Sequence, residues 1–103
     1  MKPPYADYCK HAMRFYARSM MNAHSAEPRF KTEADKKNWY ACQAAVRTFS
    51  PEDMDMLITL YGMNESLPDA ISRLAKDKRI HPDRVWNTIN DLERKIAKRR
   101  GLI

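Results

Sequence analysis

The sequence predicts an all-α fold, a small domain of five helices, on three observations. Apolar residues recur every three or four positions in five separate segments, as they do along one face of an α-helix. A Ser or Thr precedes three of these segments with an acidic residue three positions later, which is typical of a helix start. No alternation of apolar and polar residues in the sequence indicates a β-strand.

Two of the helices are expected in residues 1–49, as an N-terminal pair. The first is predicted over residues 5–21, where the apolar stripe is rich in tyrosine. A polar stretch with Pro28 follows, and its composition is typical of a loop. The second helix is predicted to begin after Thr32 and to run to Phe49. The pair is expected to cover the apolar back of the other three helices or to form a dimer contact.

Two shorter helices are expected at the start of residues 50–103. In the first of them, Ser50 is the predicted cap and a proline occupies the first turn. Gly62 is expected to end that helix in a left-handed conformation, which glycine adopts without strain. The next helix is predicted to begin at Ser66, and the polar stretch "KDKRIH", residues 76–81, is interpreted as the turn after it.

A fifth helix is predicted from Pro82 to Arg100, with Gly101 as its stop signal. A buried stripe should run along it at three- and four-residue spacing, formed by Val85, Ile89, Leu92 and Ile96. The stripe leaves polar side chains on the opposite face, and the basic ones gather in the second half of the helix. One face of the helix is therefore expected to pack, and the other to meet a ligand.

The formal net charge of +6 is unevenly distributed along the chain. It is +5 over residues 1–49, −5 over residues 50–69 and +6 over residues 70–103. A basic chain with a basic C-terminal third indicates a polyanionic partner, most simply nucleic acid. The sequence has no apolar run long enough to cross a membrane and no apolar stretch of signal-peptide type. A cytoplasmic protein without membrane contact is therefore expected.

No pattern in the sequence indicates an enzyme. The only two cysteines, Cys9 and Cys42, fall on apolar helix faces and are predicted to be buried thiols rather than metal ligands. With two glycines in all, the chain has no glycine-rich phosphate loop. Asp53 and Asp55 point apart on a helix, so they do not pair for acid–base chemistry. We therefore expect no catalytic residue, no metal and no cofactor.

The last three helices, with a turn between the second and the third, follow the order of a helix-turn-helix DNA-binding unit. In that arrangement the N-terminal half of the third helix reads base edges, a role for which Arg, Asn and Thr are suited. The residues predicted to read bases are Arg84, Asn87, Thr88 and Asp91. Those predicted to contact phosphates are Arg94, Lys95, Lys98, Arg99 and Arg100.

The stretch "SPEDMDMLITLYGMNESLPDAISRLAKDKRIHPDRVWNTINDLERKIAKRRGL", residues 50–102, resembles the fourth-region DNA-binding domain of bacterial sigma factors. The shared features are an acid-rich helix start, a Leu/Ile-rich run ending in Tyr-Gly ("MLITLYG"), Ser-Leu before a short helix ("SLPDAISRLA"), and the piece "IHPDRVWNTINDLERKIAKR". Similar domains occur in small transcription regulators of phages and mobile elements. The resemblance implies a DNA-binding protein of that kind, with double-stranded DNA as its partner.

A second interpretation makes the chain a protein-binding module: a phage-encoded adaptor or inhibitor of a host nucleoprotein machine, such as RNA polymerase or a nucleic-acid-guided defence nuclease. Its basis is a turn that is longer than the family's, Trp86 at a reading position, and the aromatic first helix. The buried stripe of the fifth helix also has the spacing of a seam that pairs with a partner helix. The residues predicted to contact a partner, or a second copy in a homodimer, are Tyr5, Tyr8, Tyr16 and Trp86.

Overall fold

The computed structural model describes residues 3–22 and 28–103, and in those residues it contains five helices and no strand. The prediction of an all-α domain with five helices is therefore confirmed. The helices are α1 (Ala6–Asn22), α2 (Glu33–Val46), α3 (Pro51–Gly62), α4 (Leu67–Lys78) and α5 (Pro82–Arg99).

The first helix lies at the centre of the arrangement, because α1 packs against α2, α3 and α5. Its inward face is formed by Cys9, Met13, Tyr16 and Ala17, none of which is more than 2% exposed. Around it, α2 contacts α5, and α4 connects α3 with α5. Buried residues of all five helices belong to one hydrophobic cluster, so residues 1–49 and 50–103 share a core.

The starts of α2, α3, α4 and α5 lie where the sequence predicts them, because each of these four is fixed by a local cap. The hydroxyls of Thr32, Ser50 and Ser66 each accept a hydrogen bond from the backbone N–H three residues later, at 3.1, 3.2 and 3.4 Å. At the start of α5 the Nδ1 atom of His81 accepts from the N–H of Asp83 at 3.1 Å. His81 is thus the cap residue of α5.

The turn before α5 is shorter than the sequence suggested, and the predicted turn over residues 76–81 is wrong. The α4 helix continues to Lys78, so only residues 79–81 connect it to α5. Arg79 ends α4 in the left-handed conformation, at φ 57° and ψ 43°. The N–H groups of Arg79 and Ile80 bond back to the carbonyls of Lys76 and Ala75, a Schellman ending that usually has glycine at this position. The polar stretch was misread because its residues form the exposed face of α4.

The end of α3 also differs from the prediction that Gly62 adopts a left-handed conformation. Gly62 is helical, and a Cβ there would clash with the sulfur of Met21 on α1. The backbone carbonyls at and after the end of α3 accept hydrogen bonds from a side chain instead. The Arg14 guanidinium on α1 donates to the backbone oxygens of Tyr61, Met63 and Glu65, at 3.4, 3.0 and 3.1 Å. A cation at this helix end also complements the helix dipole, so no glycine ending is needed.

The ends of α2 and α5 also have identifiable local causes. The α2 helix stops at Val46 rather than Phe49, because Thr48 turns back and donates its hydroxyl to the carbonyl of Ala45 at 2.7 Å. Gly101, the predicted stop signal, follows α5 in the left-handed conformation, at φ 72°. The N–H groups of Gly101 and Leu102 bond to Lys98 and Ala97, which completes a second Schellman ending.

The left-handed Arg79 generates a stability prediction. A left-handed conformation costs an L-residue about 1–2 kcal/mol, whereas glycine adopts it freely at an entropic cost of about 0.5–1 kcal/mol. We expect Arg79→Gly to stabilise the fold by roughly 0.5–1 kcal/mol, which thermal unfolding would register as an increase of several degrees in Tm. Lys78→Gly, one residue earlier in the helix, is the matched control and should lower Tm. A lower Tm for Arg79→Gly would contradict the assigned turn.

The two cysteines are buried, as predicted, and their surroundings suppress their reactivity. Neither thiol has measurable exposure. Burial, and then the nearby Glu93, raise the pKa of the Cys9 thiol to about 11, and burial likewise raises the pKa of Cys42. The thiolate, which is the reactive form, is therefore scarce at neutral pH.

We accordingly expect both thiols of the folded protein to react with a disulfide reagent at pH 8 far more slowly than in denaturant. Stopped-flow absorbance of the released thiolate would measure both rates. Equal rates for the folded and the unfolded chain would contradict the placement of these cysteines in the core.

Candidate nucleic-acid interface

The orientation of α5 is set by its apolar stripe. Val85, Ile89, Leu92 and Ile96 are at most 1% exposed and belong to the common core. The inward stripe that the sequence predicted is therefore observed. Because the stripe is occupied within the chain itself, it is not available for pairing with a partner helix, contrary to the second interpretation of the sequence.

The opposite face of α5 carries a polar stripe at alternating three- and four-residue spacing. It consists of Arg84, Asn87, Asp91, Arg94 and Lys98, and we call it the reading stripe. Asp91 is half-buried and the other four are exposed. Residues at this spacing lie along one side of a helix, over about 21 Å at 1.5 Å per residue. Three of the residues predicted to read bases and two predicted to contact phosphates are thus on one surface.

Asp91 lies between two cations of its own helix. Its carboxylate accepts a hydrogen bond from Arg94 at 2.9 Å and forms an ion pair with Lys95 at 3.4 Å. Partial burial raises the pKa of this carboxyl, but the hydrogen bonds and charges of Arg94 and Lys95 outweigh burial and hold the pKa below its usual value. The negative charge of Asp91 is therefore offset locally, which reduces its repulsion of a nearby polyanion.

Thr88, the fourth residue predicted to read bases, lies beside the reading stripe. It is half-buried, and its hydroxyl donates to the carbonyl of Arg84 at 3.0 Å, one turn earlier in the helix. The hydroxyl oxygen keeps its capacity to accept a hydrogen bond. The structure thus places Thr88 at the edge of the surface that Arg84 and Asn87 occupy.

The remaining predicted phosphate contacts lie on the side of α5 towards α2, although Lys95 also pairs with Asp91 of the reading stripe. Lys95 donates to the hydroxyl of Thr48 at 2.8 Å and lies over the Phe49 ring, 4.3 Å from its centroid. Arg100 donates from Nε to the side-chain oxygen of Asn38 at 2.6 Å. The basic end of α5 is thus hydrogen-bonded to α2 and to the turn that follows α2.

Between these two helices lies a basic groove of about 570 Å³, which we call the α2–α5 groove. Its lining residues include five cations, Lys36, Lys37, Arg47, Arg99 and Arg100, and one acid, Glu33. Tyr40 also lines it, and that side chain is 40% exposed. Lys95 and Lys98 border a neighbouring depression that Arg99 shares.

The cations of α2 are part of this surface, although the sequence analysis did not select them. A signal was present, because Lys36, Tyr40, Gln43 and Arg47 are spaced by four, three and four residues and so share one helix face. That spacing alone does not show that the face lies beside the basic end of α5. The proximity depends on the contact between α2 and α5.

The three tyrosines among the predicted partner contacts lie in different environments. Tyr16 is 2% exposed and packs edge-on against Trp39, with ring centroids 5.3 Å apart, so its assignment to a contact surface is wrong: it is a core residue. Tyr5 is half-buried against the core. Tyr8 is exposed and donates its hydroxyl to Asn38 at 2.6 Å, which places it in the same network as Arg100.

Trp86 lies on the side of α5 away from α2, in a second groove of about 610 Å³ that we call the Trp86 groove. This groove is bounded by α5, the start of α1 and the start of α4, and its apolar lining includes Ala6, Leu67, Pro68 and Ile89. Glu93 also lines it, 6% exposed, and accepts a hydrogen bond from the Tyr61 hydroxyl at 3.0 Å. Neither Trp86 nor Glu93 belongs to the reading stripe.

Two further properties concern residues 3–22 and 28–103. Within these ranges no three His, Cys, Asp or Glu side chains are grouped so that they could hold a metal ion. Within the same ranges no helix has both the length and the apolar character that a membrane crossing requires. Comparison of the chain with family models, curated proteins and solved structures found no match.

Proposed function

We propose that the chain binds double-stranded DNA with α5 as its recognition helix, as a transcription regulator of the phage or mobile-element kind. The observation that carries the proposal is the reading stripe, an exposed polar face on a helix that follows a three-residue turn. In a helix-turn-helix unit the second helix of the pair enters the major groove in this way. The resemblance of residues 50–102 to sigma-factor domains agrees with that assignment.

Base reading is assigned to the N-terminal half of the stripe. The Arg84 guanidinium suits the two acceptors of a guanine edge, and the Asn87 amide suits the donor and acceptor of adenine. Both side chains are exposed, so neither has to leave the core to reach a base. Thr88 and Asp91 contribute hydrogen-bonding groups at the edge of the same surface.

Phosphate contact is assigned to Arg94 and Lys98, the two cations of the reading stripe, because Lys95, Arg99 and Arg100 lie on the side of α5 towards α2. Two such contacts would give a salt dependence that lowers affinity roughly 10-fold between 50 and 200 mM salt. A homodimer that pairs two half-sites would add further affinity, as single helix-turn-helix units usually require.

The assignment predicts two different mutational effects on DNA binding. The double variant Arg84→Ala, Asn87→Ala should lose roughly 10- to 100-fold in affinity for a duplex selected from a random pool, with little change for unselected duplex. The double variant Arg94→Ala, Lys98→Ala should weaken both duplexes alike and make the salt dependence shallower. Fluorescence anisotropy at two salt concentrations measures both effects.

A matched control removes two cations from another helix. Lys10 and Arg18 lie on α1, away from the reading stripe, and replacing both with Ala changes the net charge by the same amount. We expect that variant to bind nearly as the parent does. Failure of the wild-type chain to enrich any sequence, together with affinity that does not depend on salt, would contradict the proposal.

The Trp86 groove favours a second candidate function, that of an adaptor or inhibitor which binds a host nucleoprotein such as RNA polymerase. Its apolar lining around a half-buried Trp resembles the pockets that receive anchor side chains at protein interfaces. The two candidates use different faces of α5. Asn90, which is exposed at the rim of the Trp86 groove, distinguishes them: Asn90→Phe obstructs the groove without adding a charge, so it should abolish capture of a purified polymerase and leave DNA affinity nearly unchanged.

A further inference from the structure

Five cations and one acid, Glu33, give the described lining of the α2–α5 groove a net positive charge. Among residues 3–22 and 28–103, no carboxylate forms an ion pair with any of its five cations. Arg100 is held by two uncharged groups, the side-chain oxygen of Asn38 at 2.6 Å and the Tyr8 hydroxyl at 3.5 Å. These contacts fix the position of the guanidinium and keep its full charge. The groove is therefore a positioned anion site along two helices.

Tyr40 places an aromatic ring among these cations, and this ring packs against two other aromatic side chains. The ring meets the edge of Trp39 at 5.1 Å and an interplanar angle of 84°, and lies 6.3 Å from the Phe30 ring. Trp39 itself is 2% exposed, and its indole N–H donates to the Ser19 hydroxyl at 2.7 Å. Tyr40 is 40% exposed and lines the groove, and its contacts with Trp39 and Phe30 orient its ring.

Cations and an aromatic ring in one groove favour single-stranded nucleic acid over a duplex. In a duplex the bases are stacked on one another, so they present only their edges to a protein side chain. An unpaired base has a free face that stacks on an aromatic ring, while flanking phosphates meet the cations of the groove. The reading stripe has no aromatic residue, so the two surfaces of α5 differ in the ligand that they suit.

We infer that the α2–α5 groove binds a single-stranded segment of nucleic acid, with an unpaired base stacked on Tyr40 and flanking phosphates held by the groove cations. The inference does not depend on duplex binding by the reading stripe. In a protein that has both surfaces, the groove would hold a strand that is unpaired near the duplex site.

The test compares a ten-nucleotide thymidine strand with an abasic strand of the same length and charge, at one salt concentration. Stacking of one base is expected to make the wild-type chain bind the thymidine strand about 5- to 150-fold more tightly. Free thymidine monophosphate is expected to bind far more weakly, because it lacks the flanking phosphates. Fluorescence anisotropy measures the two strands, and competition measures the mononucleotide.

Variants separate stacking from charge. Tyr40→Leu should bind both strands with the affinity that the parent has for the abasic one, and Tyr40→Phe should keep the preference. Arg47→Gln should weaken both strands alike. Phe15→Leu is the matched control, because Phe15 is an aromatic residue of α1 with a similar exposure of 39%, outside the groove, and it should behave as the parent does.

Three results would overturn the inference: equal affinity of the wild-type chain for the two strands, an unchanged preference in Tyr40→Leu, or monophosphate binding as tight as strand binding. The first and third need no variant, so they hold even if a substitution unfolds the chain. A parallel titration with duplex DNA shows whether the reading stripe functions independently of the groove.

Discussion

The apolar stripe of α5 attaches this helix to the rest of the core through four branched side chains, Val85, Ile89, Leu92 and Ile96. Burying them contributes about 6–12 kcal/mol, which is comparable with the whole stability of a small domain. Rotation of α5 by one residue would expose part of that stripe, so the rotational setting of the helix is strongly determined. The same setting turns the reading stripe towards solvent, with Lys95, Arg99 and Arg100 on the side that faces α2.

The central position of α1 explains how two separate surfaces arise on one helix. Because α1 packs against α2, α3 and α5, it holds α2 beside the basic end of α5 and contacts both of these helices. On the other side its N-terminal end borders the Trp86 groove with the start of α4. Arg14 fixes this arrangement to the α3–α4 connection through three backbone carbonyls. The N-terminal helix thereby lines the Trp86 groove and, through the Tyr8 hydroxyl, contacts Arg100 at the α2–α5 groove.

Cap residues and apolar periodicity predicted the parts of the fold that depend on residues close together in the sequence. The helix starts at Ser50 and Ser66 and the buried stripe of α5 needed only a cap or a periodicity. The turn at Arg79 was misread because an L-residue replaces the usual glycine, and the end of α3 because its capping group comes from a distant helix. The α2–α5 groove and the burial of Tyr16 depend on which helices pack together, which spacing along one helix does not determine.

The central claim is that the solvent-facing side of α5 meets duplex DNA. Its most direct test is an amide chemical-shift titration of the labelled chain with a duplex selected from a random pool. The account predicts that the largest shifts occur at the reading stripe and at the turn of residues 79–81. Shifts confined to the Trp86 groove, at the starts of α1 and α4, would contradict it, as would a spectrum that the duplex leaves unchanged.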